Sequence, residues 1–238
     1  MGERTAKAQG KAMNIWGDRA AKVLREAQYP DTWPYTEEDF SRLDESNDQL
    51  FYSQPRLVYH IDEFAIRALT KFYKNNFVPA ADILDVCSSW VSHFPEEYKA
   101  GFVAGIGLNE LELSKNSRLD EYHVIDLQEN PTFPYPNDRF DIVTMVVSVD
   151  YLIKPLQVFR EIGRVLRPGG TAYISFSNRC FPTKAVSIWL ASNDMQRVYI
   201  VGSFFHYSGM FTTPRAYDLS PNFGITDPLY MVTANKKS

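Results

Sequence analysis

Beyond residue 80 the apolar positions alternate between short unbroken runs and stripes of helical spacing. Residues 82–87, 102–108, 123–127, 140–147 and 171–176 read as strands one to five, the first, fourth and fifth almost continuously apolar. Continuous apolarity marks strands covered on both faces, so helices are expected on both sides of the sheet. The intervening segments supply them. Glu96 to Lys99 lies in or just after the first crossover helix, 110–115 is the second, and 155–167 carries Leu156, Phe159, Ile162 and Leu166 on one stripe. Arg160, Arg164 and Arg167 are left for the other side of that helix, the last two where a C-terminus favours cations. Gly169 offers the left-handed residue that ends it. The alternation predicts an α/β fold around a parallel sheet. Farther on, 182–208 reads as helical, 217–219 as a short strand and 229–234 as the final strand.

Upstream the pattern is looser. Residues 1–34 open polar and then carry Ile15, Trp16, Val23 and Leu24 before a break at Pro30 to Pro34, which suits a frayed start, a peripheral helix and a turn. Thr36 with Asp39 is the cap of a short helix ending near Leu43. After Pro55, residues Val58, Ile61, Phe64, Ala65, Ala68, Leu69 and Phe72 recur at helical spacing, in a helix expected to cover one edge of the sheet. The expected organisation is a helical extension over 1–50 and one domain over 51–238. No internal repeat is present.

Composition narrows the function. A net charge of −4 with scattered Lys and Arg disfavours a nucleic-acid partner, since phosphate binding needs a basic excess. The only cysteines, Cys87 and Cys180, are too few for a disulfide framework. No two of His60, His93, His123 and His206 have the spacing of a helical metal pair, so no metal is expected. No run approaches the ~18 apolar residues of a membrane span, and the first thirty residues lack a signal-peptide core. The expectation is a soluble intracellular protein, cytoplasmic or plastid, acting on a small molecule.

The wording of the second half is more specific. "FDIV…REIGRVLRPGGTAYISFSN", from Phe140 to Asn178, resembles class I S-adenosylmethionine-dependent methyltransferases, where "FD.V…EI.RVLKPGG" runs from the fourth strand to the fifth. The words "DVCSSWVSHFP", "GIGLNELELSKN", "VVSVDYLIKPL", "SFSNRCFPTKA" and "VGSFFHYSGMF" further resemble a divergent methyltransferase-like group, type 11-like, of photosynthetic organisms, over about residues 50 to 235. The resemblance implies a three-layer Rossmann-like methyltransferase fold, its sheet mostly parallel with a C-terminal antiparallel strand, and S-adenosylmethionine as cofactor.

It also implies site residues. Where the family has D-x-G-x-G-x-G after strand one, this chain has Asp85, with Cys87, Ser89 and Val91 at the glycine positions. Side chains there narrow the space for a pyrophosphate, which disfavours a dinucleotide. Asp85 suits the cofactor's ammonium group; Ser88 and Ser89 either offer hydroxyls to its carboxylate or only cap a helix. The family's ribose-binding acid falls at Gly107, so the ribose is left to Asn109, to Glu110, or is poorly held, and Asn109 is equally an N-cap. Asp126-Leu127 matches a D-L pair for the adenine, with a turn-capping Asp126 as the alternative. Ser148 lies on the cofactor side of strand four's mouth. Asp150 either handles the acceptor proton or caps a helix, and His206 is either a second catalytic group or a packed residue. Tyr52, Tyr59 and Trp90 either face the sulfonium or pack the sheet.

Two functions follow: methyl transfer from S-adenosylmethionine to a small or medium-sized metabolite, or a catalytically inactive methyltransferase-like binding or regulatory protein. The second is motivated by the missing glycines and the missing ribose acid. A hydrolase is disfavoured, since Ser88 and Ser89 lack the glycines of a nucleophile elbow.

Overall fold

The computed structural model describes residues 19–222 and 224–238; Ile15 and Trp16 lie outside the described residues. In chain order the elements are α1 (19–25), a 3-10 turn Glu38–Phe40, α2 (Asp48–Phe51), α3 (Glu63–Asn76), β1 (Asp82–Val86), β2 (Phe102–Gly107), α4 (Glu110–Lys115), β3 (Glu121–Val124) and β4 (Phe140–Val146). A second 3-10 turn, Val149–Tyr151, is followed by α5 (Pro155–Val165), β5 (Leu166–Phe176), α6 (Ser187–Leu190), α7 (Asp194–Ser208), β6 (Arg215–Asp218) and β7 (Tyr230–Asn235). The sheet order is β3-β2-β1-β4-β5-β7-β6. β1 to β5 pair in parallel and β7 runs antiparallel to both its neighbours, the mixed sheet that the resemblance implied.

Alternate residues of each strand feed two cores. Leu84, Val86, Ile106, Val143, Met145 and Ile174 join Phe159, Ile162, Phe204 and Phe205 of α5 and α7 on one face. Ile83, Val103, Ile142, Tyr173 and Met231 pack on the other against Ala65, Leu69 and Tyr73. Helix α3 therefore lies across a face at the middle strands, not over an edge as its spacing suggested. Ala20, Leu24 and Phe40 belong to the first cluster, so the described N-terminal residues share the core of the sheet.

Several boundaries moved for local reasons. α3 begins at Glu63 because the Asp62 carboxylate caps it, accepting from Ala65 N at 2.8 Å; Val58 is outside the helix and 56% exposed. The reading of 182–208 as one helical stretch is broken by Asn193, which forms a reciprocal capping box with Gln196. Thr36 does not cap the first short turn: Asp39 accepts from its backbone N–H at 2.7 Å, and only three residues wind. α5 ends at Val165 with Leu166 extended, so left-handed Gly169 (φ 79°) serves a turn inside β5 instead of the helix end. Arg167 then pairs with Asp82 (2.9 Å) and Asp141 (2.6 Å), clamping the entries of β1 and β4. The largest departure is the first crossover. No helix forms over 87–101, and Glu96 to Lys99 lie in irregular chain.

Candidate functional site

Strand order reverses between β1 and β4, where crossovers depart in opposite directions and leave a crevice at the carboxyl ends of the strands. A cavity of about 470 Å³ occupies it. Its floor comes from the mouths of β1 to β4, including Asp85, Cys87, Gly107, Asp126 and Ser148; its roof comes from 48–61 and 178–182. Two floor residues are strained. Cys87 (φ 55°) and Val147 (φ 42°) end the paired strands β1 and β4 in the left-handed region, at roughly 1–3 kcal/mol each. Cys87, at a position where the resemblance implies glycine, thus adopts a backbone conformation that favours glycine. That turn lets Ser88 N donate to Ile106 O at 2.7 Å and brings the loop across the end of β2. Burial, then the Asp85 carboxylate, pushes the Cys87 thiol up to about 12, so it is no thiolate.

The crossing loop explains the absent ribose acid. A Cβ on Gly107 would stand 2.3 Å from the Ser88 carbonyl oxygen, so no side chain fits there. Asp85, buried at the end of β1, accepts hydrogen bonds from Thr144 (2.6 Å), Ser92 (2.7 Å) and Ser88 (2.8 Å). Burial raises its pKa while the three hydroxyls oppose the rise. Ser89 donates to Glu112 at 2.6 Å, and the same carboxylate accepts from Arg56 N at 2.6 Å. Ser88 and Ser89 therefore cap no helix; their hydroxyls hold carboxylates that fix the loop.

Asn109 does cap α4, accepting from Glu112 N at 3.1 Å, while its amide donates to Tyr52 O at 2.8 Å and ties down the roof. Glu110 is exposed and outside the cavity lining. Asp126 lines the wall with buried Leu127; its Oδ1 accepts from Gln128 N at 2.9 Å, and its Oδ2 has no hydrogen-bond partner among the described residues. Ser148 also lines the cavity, donating to Val146 O at 2.9 Å.

The two catalytic candidates are not brought together. His206 projects from the exposed side of α7 and stacks on Tyr29 at 4.5 Å, because the helix turns its other side, with Phe204 and Phe205, into the core. Neither His206 nor Tyr29 lines the cavity. Asp150 is 2% exposed and also absent from the cavity surface, although Ser148, Tyr151 and Leu152 around it are present there. Its Oδ2 has no partner, and burial pushes its pKa up to about 8. A group sealed from the cavity cannot take a proton from a ligand within it. Asp150 also caps no helix with its side chain, since it sits inside the 3-10 turn.

The roof is fastened by contacts between segments distant in the chain. Trp90 donates to Val58 O at 3.1 Å, and its ring lies 5.0 Å from Tyr59, so the loop after β1 holds the upstream segment. Lys184, fully buried, reaches Asp48 at 3.1 Å and Asp44 at 3.2 Å, while Arg42 grips Asp48 with bonds of 2.8 and 2.9 Å. This ionic knot joins 42–48 to the segment after β5. A lysine amid Phe181, Pro182, Ala185 and Val186 was its one signal in the sequence.

A family profile described as "Methyltransferase domain" matches residues 88–174. Methyltransferase GfsG of Streptomyces halstedii is 33% identical over 76 residues, which span 30% of this chain and 27% of that protein. The [4+2]-cyclase SpnF superposes with a TM-score of 0.55 at 15% identity, over 79% of this chain and 91% of that one. Phosphoethanolamine N-methyltransferase 2 of Haemonchus contortus, solved with S-adenosyl-L-methionine, gives 0.52 at 15% identity, over 88% and 62%. At such identities the structural likenesses are of fold alone, and a fold hosts more than one chemistry.

Proposed function

We propose that this chain is a class I S-adenosylmethionine-dependent methyltransferase, that its cavity binds S-adenosylmethionine and that it transfers the methyl group to a small or medium-sized metabolite; the methyltransferase-domain profile over residues 88–174 supports this reading. The observation that carries this reading is the cavity at the strand-order reversal, about 470 Å³ and lined by Asp126, whose Oδ2 is unpartnered beside Leu127. That volume is in the range of metabolite and cofactor pockets. The donor set fits the group: Asp126 suits the adenine amino group, Leu127 the ring, and Glu112 on α4 can take the ribose hydroxyls that a side chain at 107 cannot reach. Asp85, Ser88 and Ser89 act through the loop they fix, with Asp85 also supplying negative potential for the ammonium.

When bound, the cofactor supplies an electrophilic methyl group for in-line displacement. The protein's share is alignment, exclusion of water and removal of an acceptor proton where one must leave. The roof holds the acceptor side. Tyr52, Tyr59 and Phe181 offer ring faces and His60 an imidazole whose pKa burial lowers, which favours the neutral, proton-accepting form.

Titration calorimetry with S-adenosylmethionine and S-adenosylhomocysteine tests the reading, followed by label transfer from methyl-labelled cofactor into a metabolite extract. Binding of both is expected, with Asp126→Ala about 10- to 100-fold weaker, the scale of a lost charged hydrogen bond. Failure of the folded wild-type protein to bind either refutes it. A second reading, a binding protein without catalysis, draws on Asp85, Ser88 and Ser89 being committed to one another and to Glu112. Binding with no label transferred to any fraction selects it.

A further inference from the structure

Arg56 is held unlike the other arginines of the described chain. Arg42, Arg67, Arg139, Arg164, Arg167, Arg179 and Arg197 pair with carboxylates, and Arg118 donates to the carbonyls of Pro95, Glu96 and Tyr98. Arg19, Arg25, Arg160 and Arg215 are exposed. Arg56 is half-buried in the cavity wall with no carboxylate at ion-pair distance among the described residues. Its Nη2 donates to Phe51 O at 2.9 Å, and its Nη1 is buried without an acceptor among the described residues. Three rings box it in, its Cζ lying 4.5 Å from the centroid of Phe51, 5.3 Å from Tyr52 and 5.2 Å from Phe181. Such faces orient a guanidinium but accept none of its five N–H groups in the plane.

The cavity's own carboxylates do not answer it. Asp48 is engaged by Arg42 and Lys184, Asp85 by three hydroxyls, Asp126 accepts from Gln128 N and forms no ion pair with Arg56, and Glu112 meets Arg56 only through its backbone N–H. A planar fork, desolvated on one side and short of acceptors, is complementary to a carboxylate, which offers two coplanar oxygens. We infer that Arg56 is the carboxylate-binding residue of this cavity, and that a ligand acting there carries a carboxylate which Arg56 recognises. The inference rests on the cavity being the ligand site proposed above. The carboxylate belongs either to the cofactor's amino-acid moiety or to an acceptor whose ring lies among Tyr52, Phe181 and Tyr59.

Two matched pairs separate these sources. S-adenosylhomocysteine is compared with its decarboxylated analogue, which keeps the ammonium, and 4-hydroxybenzoate with 4-hydroxybenzamide, added in the presence of saturating adenosyl ligand and also alone. Affinities are measured by calorimetry on wild type, Arg56→Met and Arg56→Lys. In at least one pair the wild type is expected to prefer the carboxylate by about 10- to 100-fold, the preference vanishing in Arg56→Met and partly surviving in Arg56→Lys. The neutral member of the pair should bind wild type and variant alike, which also shows that the variant is folded. Preference in the first pair assigns the cofactor carboxylate, and in the second the acceptor. No preference in either pair, or one that survives in Arg56→Met, overturns the inference. If neither adenosyl ligand binds while the benzoate preference stands, the cofactor reading fails and the role of Arg56 does not.

Discussion

Replacing Asp150 by Asn should change how stability depends on pH more than it changes stability itself. The carboxyl is 2% exposed, its Oδ2 has no partner, and its pKa in the folded protein is about 8 against an ordinary 3.8. Between those values the folded state keeps the proton and the unfolded chain releases it. The unfolded state then binds fewer protons, so stability falls as pH rises through this window, and the loss is complete above the folded pKa. A tenfold difference in proton affinity between the two states is worth about 1.4 kcal/mol, so the ceiling is about 6 kcal/mol across the window and about 3 kcal/mol between pH 5 and pH 7.5. Asn has no such proton. Its amide adds a cost of about 1–3 kcal/mol wherever a donor is unsatisfied, but that cost is the same at every pH. Urea unfolding of both proteins from pH 4 to pH 9 gives the difference curve, from which all other titrations cancel. The variant should gain on the wild type steadily up to about pH 8 and then level off. Parallel curves would show that Asp150 ionises as freely folded as unfolded, and would refute its sealed environment.

Gly107→Ala should cost about 1–3 kcal/mol or more in urea unfolding, because its Cβ would meet the Ser88 carbonyl at 2.3 Å; a neutral result would mean that the loop after β1 yields readily. Lys184→Met should cost about 3–5 kcal/mol and speed amide exchange over 42–48, since Asp48 keeps only Arg42 as its cation; unchanged exchange would argue against the ionic knot as what fastens the roof. His93 has its pKa lowered to about 4 by burial first and His60 second, so the unfolded chain gains a proton below pH 6.5 that the folded protein refuses until about pH 4. Stability conferred by the neutral imidazole is therefore lost as pH falls through that window, and His93→Gln should flatten the acid limb of a melting-temperature profile.

The strands of the sheet were legible in the sequence, and the resemblance implied their mostly parallel pairing; their order was not. Five apolar runs, the stripe of α5 and the Gly169-Gly170 turn are local signals, because burial on two faces demands apolar residues at every position of a central strand. The resemblance also pointed to the strand mouths that open into the cavity: Asp85, Ser88, Ser89, Asn109, Asp126, Leu127 and Ser148 all line it. What those side chains are free to do is set by contacts between segments distant in the chain. Whether a serine caps a helix or holds a carboxylate depends on a partner such as Glu112, which lies 23 positions from Ser89 in the chain. His206 and Asp150 lie off the cavity for the same reason: the side of a helix that faces a cavity, and the depth at which a carboxylate is sealed, are set by packing across the whole core. Arg56 shows the converse. The density of aromatic and ionisable residues over 51–62 points to its segment, but its rings at 51, 52 and 181 and its want of a carboxylate come from a roof assembled out of two distant segments, so its role is not legible in the order of residues.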